Sequence, residues 1–270
     1  MNCEKKRNMF DFITYGTEEL QAFLLALLRI SGLFITAPIF RHVAVPIPAK
    51  TGLVVLLAGI MTLTIDVSSL APVESIWHLA GLASREVLVG AVIGLLFNLL
   101  IMGVQTAGGL IGYQMGFAIV SVVDPNSSGQ IPILGQFWTL VTLIVFLTIN
   151  GHHLVITALA DSYRAIPVGG LSLTSSAWDM IIKYTAYVFI IALKISAPVV
   201  ITLFMIDVAL GAIAKTMPTM NVFFVGIPVK IAAGLGVMAL SLPIVAYVLE
   251  KGAGYLDNQL RTLMLTMGKA

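Results

Sequence analysis

The sequence predicts an all-α, membrane-associated protein built of helical hairpins. Three observations carry that reading. Hydrophobic residues make up 59% of the 270 residues and charged residues only 10%, whereas a soluble globular chain is about 45–50% apolar and about 25% charged. A chain of this length can bury a core, but it has too few charged side chains to coat a water-facing surface. Its solvent is a bilayer, or partner chains that are equally apolar. Next, no ionised side chain occurs between Glu86 and Asp124, or between Asp124 and Asp161. Lastly, the apolar runs are long, rich in Leu and Ala, and lack the period-two alternation of strands.

About six long apolar helical segments follow in order, each judged against the ~20 residues of a spanning helix. They are Leu20–Phe40, Lys50–Ile65, Val87–Val123, Phe137–Leu159, Ile181–Leu210 and Val222–Leu249. The second is marginal unless it starts near Ala44. Pro46 and Pro48 separate the first pair. Ser68, Ser69 and Pro72 separate the second from the third. After the third comes Asp124-Pro125-Asn126-Ser127-Ser128-Gly129, where Pro125 pushes Asp124 out of helical geometry and Asn, Ser and Gly favour a turn. Gly169, Gly170 and the Ser/Thr residues up to Ser176 mark the next break, and Met217 to Asn221 the last. No long polar linker or short repeat interrupts this order.

The charge balance is 15 basic to 13 acidic residues, a net +2. With no basic stripe, nucleic-acid binding is not expected. One cysteine, Cys3, excludes a disulfide framework and a Cys-based zinc site. Glu4-Lys5-Lys6-Arg7 leads into polar residues and then an apolar run without a small-residue cleavage site, so no signal peptide is expected to be removed. If six spans alternated, one face would collect the N-terminus, a loop near Arg85, Arg164, Lys183, Lys251, Arg261 and Lys269. The other would hold only Arg41, Lys50 and Lys215. The positive-inside rule then puts both termini in the cytoplasm.

Hydrolytic and nucleotide-binding signatures are missing: there is no H-E-x-x-H, G-x-S-x-G, G-x-G-D, Walker A loop or G-x-G-x-x-G. The adjacent His152 and His153 point about 100° apart on a helix and do not clamp one metal. No metal, cofactor or catalytic residue is expected. Arg29, Glu86, Asp161, Lys194, Asp207 and Lys230 lie in or beside apolar runs, where a charge must face a bundle interior, water or a partner. They read either as a proton or ion relay or as structural ion pairs at subunit contacts. No acidic pair has helical spacing, which weakens the relay.

The most unusual stretch runs from Gly103 to Asp124 and contains Gly108, Gly112 and Gly116 at every fourth position, with Gly109 beside them. One reading is a smooth helix face that admits another backbone. The other follows from the low helix propensity of dense glycine. Gln105 to Phe117 would then be a bent or non-helical segment inside a protein-lined lumen, with Gln114 and Phe117 flanking Met115, a soft stopper able to repack.

At this point the residues resemble a known family. The chain resembles the FliR family, the R-type subunits of the flagellar type III export gate, and their relatives in virulence injectisomes. The resemblance runs from about Leu24 to about Pro243. It is carried by Arg29 to Phe40, Arg85 to Gly94, Tyr113-Gln-Met-Gly116 leading to Val123-Asp-Pro125, Leu134 to Phe137, Asn150-Gly-His152, and Pro218 through Asn221-Val-Phe223 to Pro228. Each is weak alone; their succession is specific. Val123-Asp-Pro125 and Leu134-Gly-Gln136 favour the flagellar branch.

The resemblance implies a single export-gate domain over 1–270. P-like hairpins would occupy 20–180, with a plug segment near 105–124, and a Q-like hairpin 181–250. It implies a plug built from Gly108, Gly109, Gly112, Tyr113, Gln114, Met115, Gly116 and Phe117, followed by a turn at Asp124 and Pro125. Arg29, Glu86, Lys194, Asp207 and Lys230 would be the subunit-contact charges. The implied partners are P-type and Q-type subunits (FliP, FliQ) stacked in a hetero-oligomer, an FlhB-type switch protein and an FlhA-type subunit, unfolded flagellar cargo and membrane lipid. The implied place is the bacterial inner membrane at the flagellar basal body, with the hairpins packing mainly on partner chains and much of the assembly raised above the ordinary bilayer plane. A rival from another class is a stand-alone small-molecule or ion permease using Asp207 and Lys194. An injectisome subunit is the other alternative.

Overall fold

The computed structural model describes residues 2–37, 46–65, 75–117, 133–217, 219 and 221–268, with the backbone alone for 2–17 and 223. The described residues form seven helices and no strand: α1 (Asn2–Thr36), α2 (Ile47–Thr62), α3 (Ile76–Met115), α4 (Ile133–Thr148), α5 (Gly151–Ala165), α6 (Ser175–Thr216) and α7 (Val222–Met267). Local chemistry sets several ends. Pro46 caps α2 and Pro48 sits in its first turn, where the missing N–H leaves no bond unmade. Thr174 accepts from the Ala177 amide at 3.3 Å, which caps the start of α6. Asn150, at φ 56°, separates α4 from α5.

The chain divides into two compact units. One comprises residues 1–98, 152–181 and 256–270; the other comprises 99–151 and 182–255.

In the first unit, Ala22, Leu25, Ala26, Ile30 and Leu33 of α1 are all buried, the three-and-four spacing of one helix face. That face crosses the beginning of α3 at van der Waals range. A β-carbon at Gly90 would fall on the Arg29 carbonyl, and one at Gly32 on the Val87 carbonyl. The α2 helix packs along α1. Val155, Ala158 and Leu159 of α5 are buried with Leu256, Leu260, Leu263 and Met264 of α7. Arg261 ties the two helices by reaching Asp161 at 3.3 Å and Asp257 at 3.4 Å.

In the second unit, α3 lies against α4 and α6. Gly103 faces Ile191 and the Val188 carbonyl, while Gly108 faces Leu134 and Gly135. Tyr187 and Tyr255 stack with centroids 4.9 Å apart. Large apolar side chains of α6 point away from the chain, among them Phe189, Leu193, Ile201, Phe204 and Met205. The most apolar window of α3 is 61% buried, but those of α6 and α7 only 33% and 22%. Their outer surface is thus matched to lipid or to other chains rather than to this one.

Among the described residues, four helices are long and apolar enough to cross a membrane, or five if α4 and α5 form one broken span. This is a multi-pass membrane protein, and the count of six is corrected. The α2 helix has 16 residues, about 24 Å at the helical rise, short of the ~30 Å hydrocarbon core. Four crossings return the chain to its starting face and five do not, so the topology turns on the α4–α5 pair. Nor does Arg85 occupy a loop between spans. It lies with Glu86 inside α3, and its guanidinium donates to the Gly169 carbonyl at 3.0 Å. Helix α7 also continues through the charged stretch after Leu249 to Met267.

Candidate functional site

The glycine-rich stretch is helical as far as Met115, not bent at Gln105. Lateral packing outweighs its low propensity, and each glycine has its own reason. At Gly108 a β-carbon would lie 2.7 Å from the Gly135 α-carbon and the Leu134 carbonyl oxygen, so the two backbones touch. At Gly112 it would meet only the Leu134 side chain, at 3.7 Å, an ordinary contact, and at Gly109 nothing within 4 Å. The stripe is thus one required contact and two permissive positions.

Gly116 has a different role. Its φ is 93°, left-handed backbone that glycine adopts without a β-carbon penalty. The Gly116 amide donates to the Tyr113 carbonyl at 3.1 Å and the Phe117 amide to the Gly112 carbonyl at 3.1 Å. That pair of bonds is a Schellman cap, which satisfies the last carbonyls and turns the chain out of the helix. The final turn therefore carries both a stop and an exit. Met115 is fully buried, while Tyr113 (73% exposed) and Phe117 (37%) face outward.

Three side-chain contacts fix this end of α3. The Gln114 amide donates to Asp207 Oδ2 at 2.8 Å. Asp207 Oδ1 takes an ion pair from Lys230. Met115 fills the notch left by Gly234, where a β-carbon would collide with its terminal methyl. Asp207 lies on α6, and Lys230 and Gly234 lie on α7, so one carboxylate joins three helices. Beside it is a cavity of about 230 Å³ lined by Met115, Gly116, Asp207, Gly226 and Lys230. The Asp207 and Lys230 side chains are 36% and 20% exposed.

The other charges within apolar helices are arranged differently. Arg29 Nε donates to Glu86 Oε2 at 2.6 Å and Nη2 to Oε1 at 3.2 Å. Its remaining donors reach Ser162 Oγ and the Ile166 carbonyl, each at 3.1 Å. The guanidinium lies 4.2 Å from the centre of the Tyr163 ring. Glu86 also accepts from the Gly169 amide at 2.8 Å. Every polar atom of this buried pair has a partner within the chain, which is the condition for keeping charges there.

The expected contact charges therefore separate. Within this chain Arg29 pairs with Glu86, and Lys230 with Asp207. Lys194 is exposed on α6 and makes no ion pair among the described residues. A relay through Lys194 and Asp207 gains nothing from this arrangement, since Asp207 is already paired. Asp124 and Pro125 lie outside the described residues. His152 and His153 stack edge to face at 4.4 Å, and no group of three His, Cys, Asp or Glu among the described residues is placed to hold a metal.

Sequence reasoning missed Ser162, Tyr163 and Gly169 around Arg29, and Gly234 beneath Met115. A fully buried arginine announces that acceptors must exist, but partners 133 and 137 residues away carry no local signal.

The family model for bacterial export proteins, family 1, matches residues 20–254. The flagellar biosynthetic protein FliR of Bacillus subtilis (strain 168) is 36% identical over 251 residues, which cover 92% of this chain and 96% of the relative. Its counterpart from Escherichia coli (strain K12) is 31% identical over 227 residues, covering 84% and 86%. The FliR of Aquifex aeolicus (strain VF5) is 26% identical over 233 residues, covering 86% and 90%.

Proposed function

The chain belongs to the bacterial export proteins of family 1 and is a flagellar export component of the FliR type; from that premise we propose that it is a structural and gating subunit of the export conduit. It sits in the bacterial inner membrane at the flagellar basal body, stacked with P-type and Q-type subunits (FliP, FliQ), with FlhB-type and FlhA-type proteins nearby. Unfolded flagellar subunits pass through the conduit. Energy enters elsewhere, and this chain performs no catalytic step.

The end of α3 carries this reading. A glycine-rich helix stops at a built-in cap at Gly116 and is held by side-chain contacts from two other helices. Such an end can seal a lumen and still be displaced, because letting it go breaks few bonds and no helix. The outward apolar side chains of α6 and α7 support the stacking part of the proposal, being surface that only lipid or partner chains can cover.

Deleting Leu110 to Met115 tests the gate. Complexes that assemble at normal yield are expected to leak small ions across the membrane. Normal yield with a tight membrane would overturn the plug assignment. A yield that falls in step with export, again without leak, would make the stretch a packing element instead.

A further inference from the structure

The two ion pairs within the apolar helices differ in a way that bears on gating. The Arg29–Glu86 pair is 0% and 1% exposed and each guanidinium nitrogen has a partner, so solvent does not compete for it. The Asp207–Lys230 pair is 36% and 20% exposed and borders a cavity. Asp207 also spends its other oxygen on one residue of the glycine-rich helix, Gln114. That residue stands two positions before Gly116, where the helix is already capped to end. Met115 sits between them in the Gly234 notch. Its grip is apolar and deformable, since thioether side chains repack at low cost. Among the described residues, the directional side-chain hold on the end of α3 is therefore one charge-assisted hydrogen bond, with open volume beside it into which the turn can shift.

We propose that Asp207 and Lys230 form the latch of the gate. Lys230 orients the Asp207 carboxylate, Asp207 holds Gln114, and Gln114 keeps the last turn of α3 in the sealed position. Gln114, Asp207 and Lys230 are positioning residues in this scheme. Release needs no unfolding: the Gln114 bond breaks, Met115 leaves its notch, and the two Schellman bonds stay intact. The proposal rests on the plug reading above and adds to it the site that decides when the plug moves.

The test uses the assembled complex in planar bilayers, with ionic conductance and complex yield measured together. Gln114→Leu removes the donor and leaves the ion pair intact. It is expected to raise the open fraction about tenfold at normal yield, the effect of losing one hydrogen bond to a charged group on a two-state equilibrium. In an Asp207→Ala, Lys230→Met background the latch is already absent, so adding Gln114→Leu is expected to change nothing further. Effects that multiply in that background would show that Gln114 acts elsewhere and overturn the latch. A tight Gln114→Leu complex beside a leaking Leu110–Met115 deletion would overturn the latch and leave the plug standing; two tight complexes would sink the plug and the latch with it. A second experiment stands apart from the stability of the Leu variant. Gln114→Cys and Asp207→Cys, made in a Cys3→Ser background and joined by a short bifunctional thiol reagent, are expected to block export of cargo. Undiminished export through cross-linked complexes would overturn the proposal.

Discussion

Arg29 and Glu86 stand 57 residues apart and meet in a two-pronged, fully buried ion pair, 2.6 Å on one side and 3.2 Å on the other. Through Ser162, Ile166 and Gly169 the same pair reaches α5 and the loop that follows it. The first unit is therefore organised around charge as much as around apolar contact. Charge in an apolar interior persists only when the mutual attraction and surrounding hydrogen bonds offset the loss of water.

Removing one member should be far worse than removing both. Arg29→Met leaves the Glu86 carboxylate buried and short of donors, a loss of about 3–5 kcal/mol. Arg29→Met combined with Glu86→Leu is expected to recover more than half of that. Thermal unfolding of the purified complex reads the difference. A double variant as unstable as the single would show that the surrounding donors, rather than the pair, carry the cost.

The Gly116 position should rank substitutions by their tolerance of left-handed backbone. Asparagine is expected to be mild, alanine to cost about 1–2 kcal/mol, and β-branched valine to cost more. Complex yield and export should fall in that order. If alanine matched glycine in both, the Schellman cap would not be what ends α3.

Hydropathy made the class and most of the helices legible. It reports burial in something apolar, so it found the long runs and left open what surrounds them. It placed the start of the third run after Glu86, because a charged residue reads as a boundary. The helix starts eleven residues earlier, at Ile76, because Glu86 is neutralised by Arg29 across the packed helices. Position by position, the Gly108, Gly112 and Gly116 series looks uniform in sequence. Only packing separates a backbone contact from a permissive site and from a cap. Lys230 reads from sequence as a charge that needs a partner at a subunit contact; that Asp207 of the same chain meets it depends on how α6 and α7 pack, which no local pattern encodes.

The Lys230 pairing makes its own prediction. Lys230→Met leaves Asp207 without its cation, and the pair is partly exposed, so the loss is modest, on the order of 1 kcal/mol. Adding Asp207→Asn should return the melting temperature toward that of the parent complex. An intermolecular partner for Lys230 gives the opposite pattern, in which the second change brings no recovery and subunits dissociate more readily.

The last prediction sets Gly108 against Gly112, four residues apart on one helix. A methyl group at Gly108 would drive into the Leu134 and Gly135 backbone at 2.7 Å, and backbone cannot swing aside as a side chain does. Gly108→Ala is therefore expected to separate α3 from α4 and lower complex yield, with export falling in the same proportion. At Gly112 the same methyl meets a leucine side chain at 3.7 Å, so Gly112→Ala should assemble normally. Gly112→Val adds two further carbons and stiffens χ1, which should hinder displacement of the helix end without breaking its seat. Export through Gly112→Val complexes is expected to slow while yield and the seal against ions hold. Measuring yield, leak and export for all three variants separates packing from gating. A Gly112→Val complex that exports at the normal rate would show that the last turn of α3 need not deform when cargo passes.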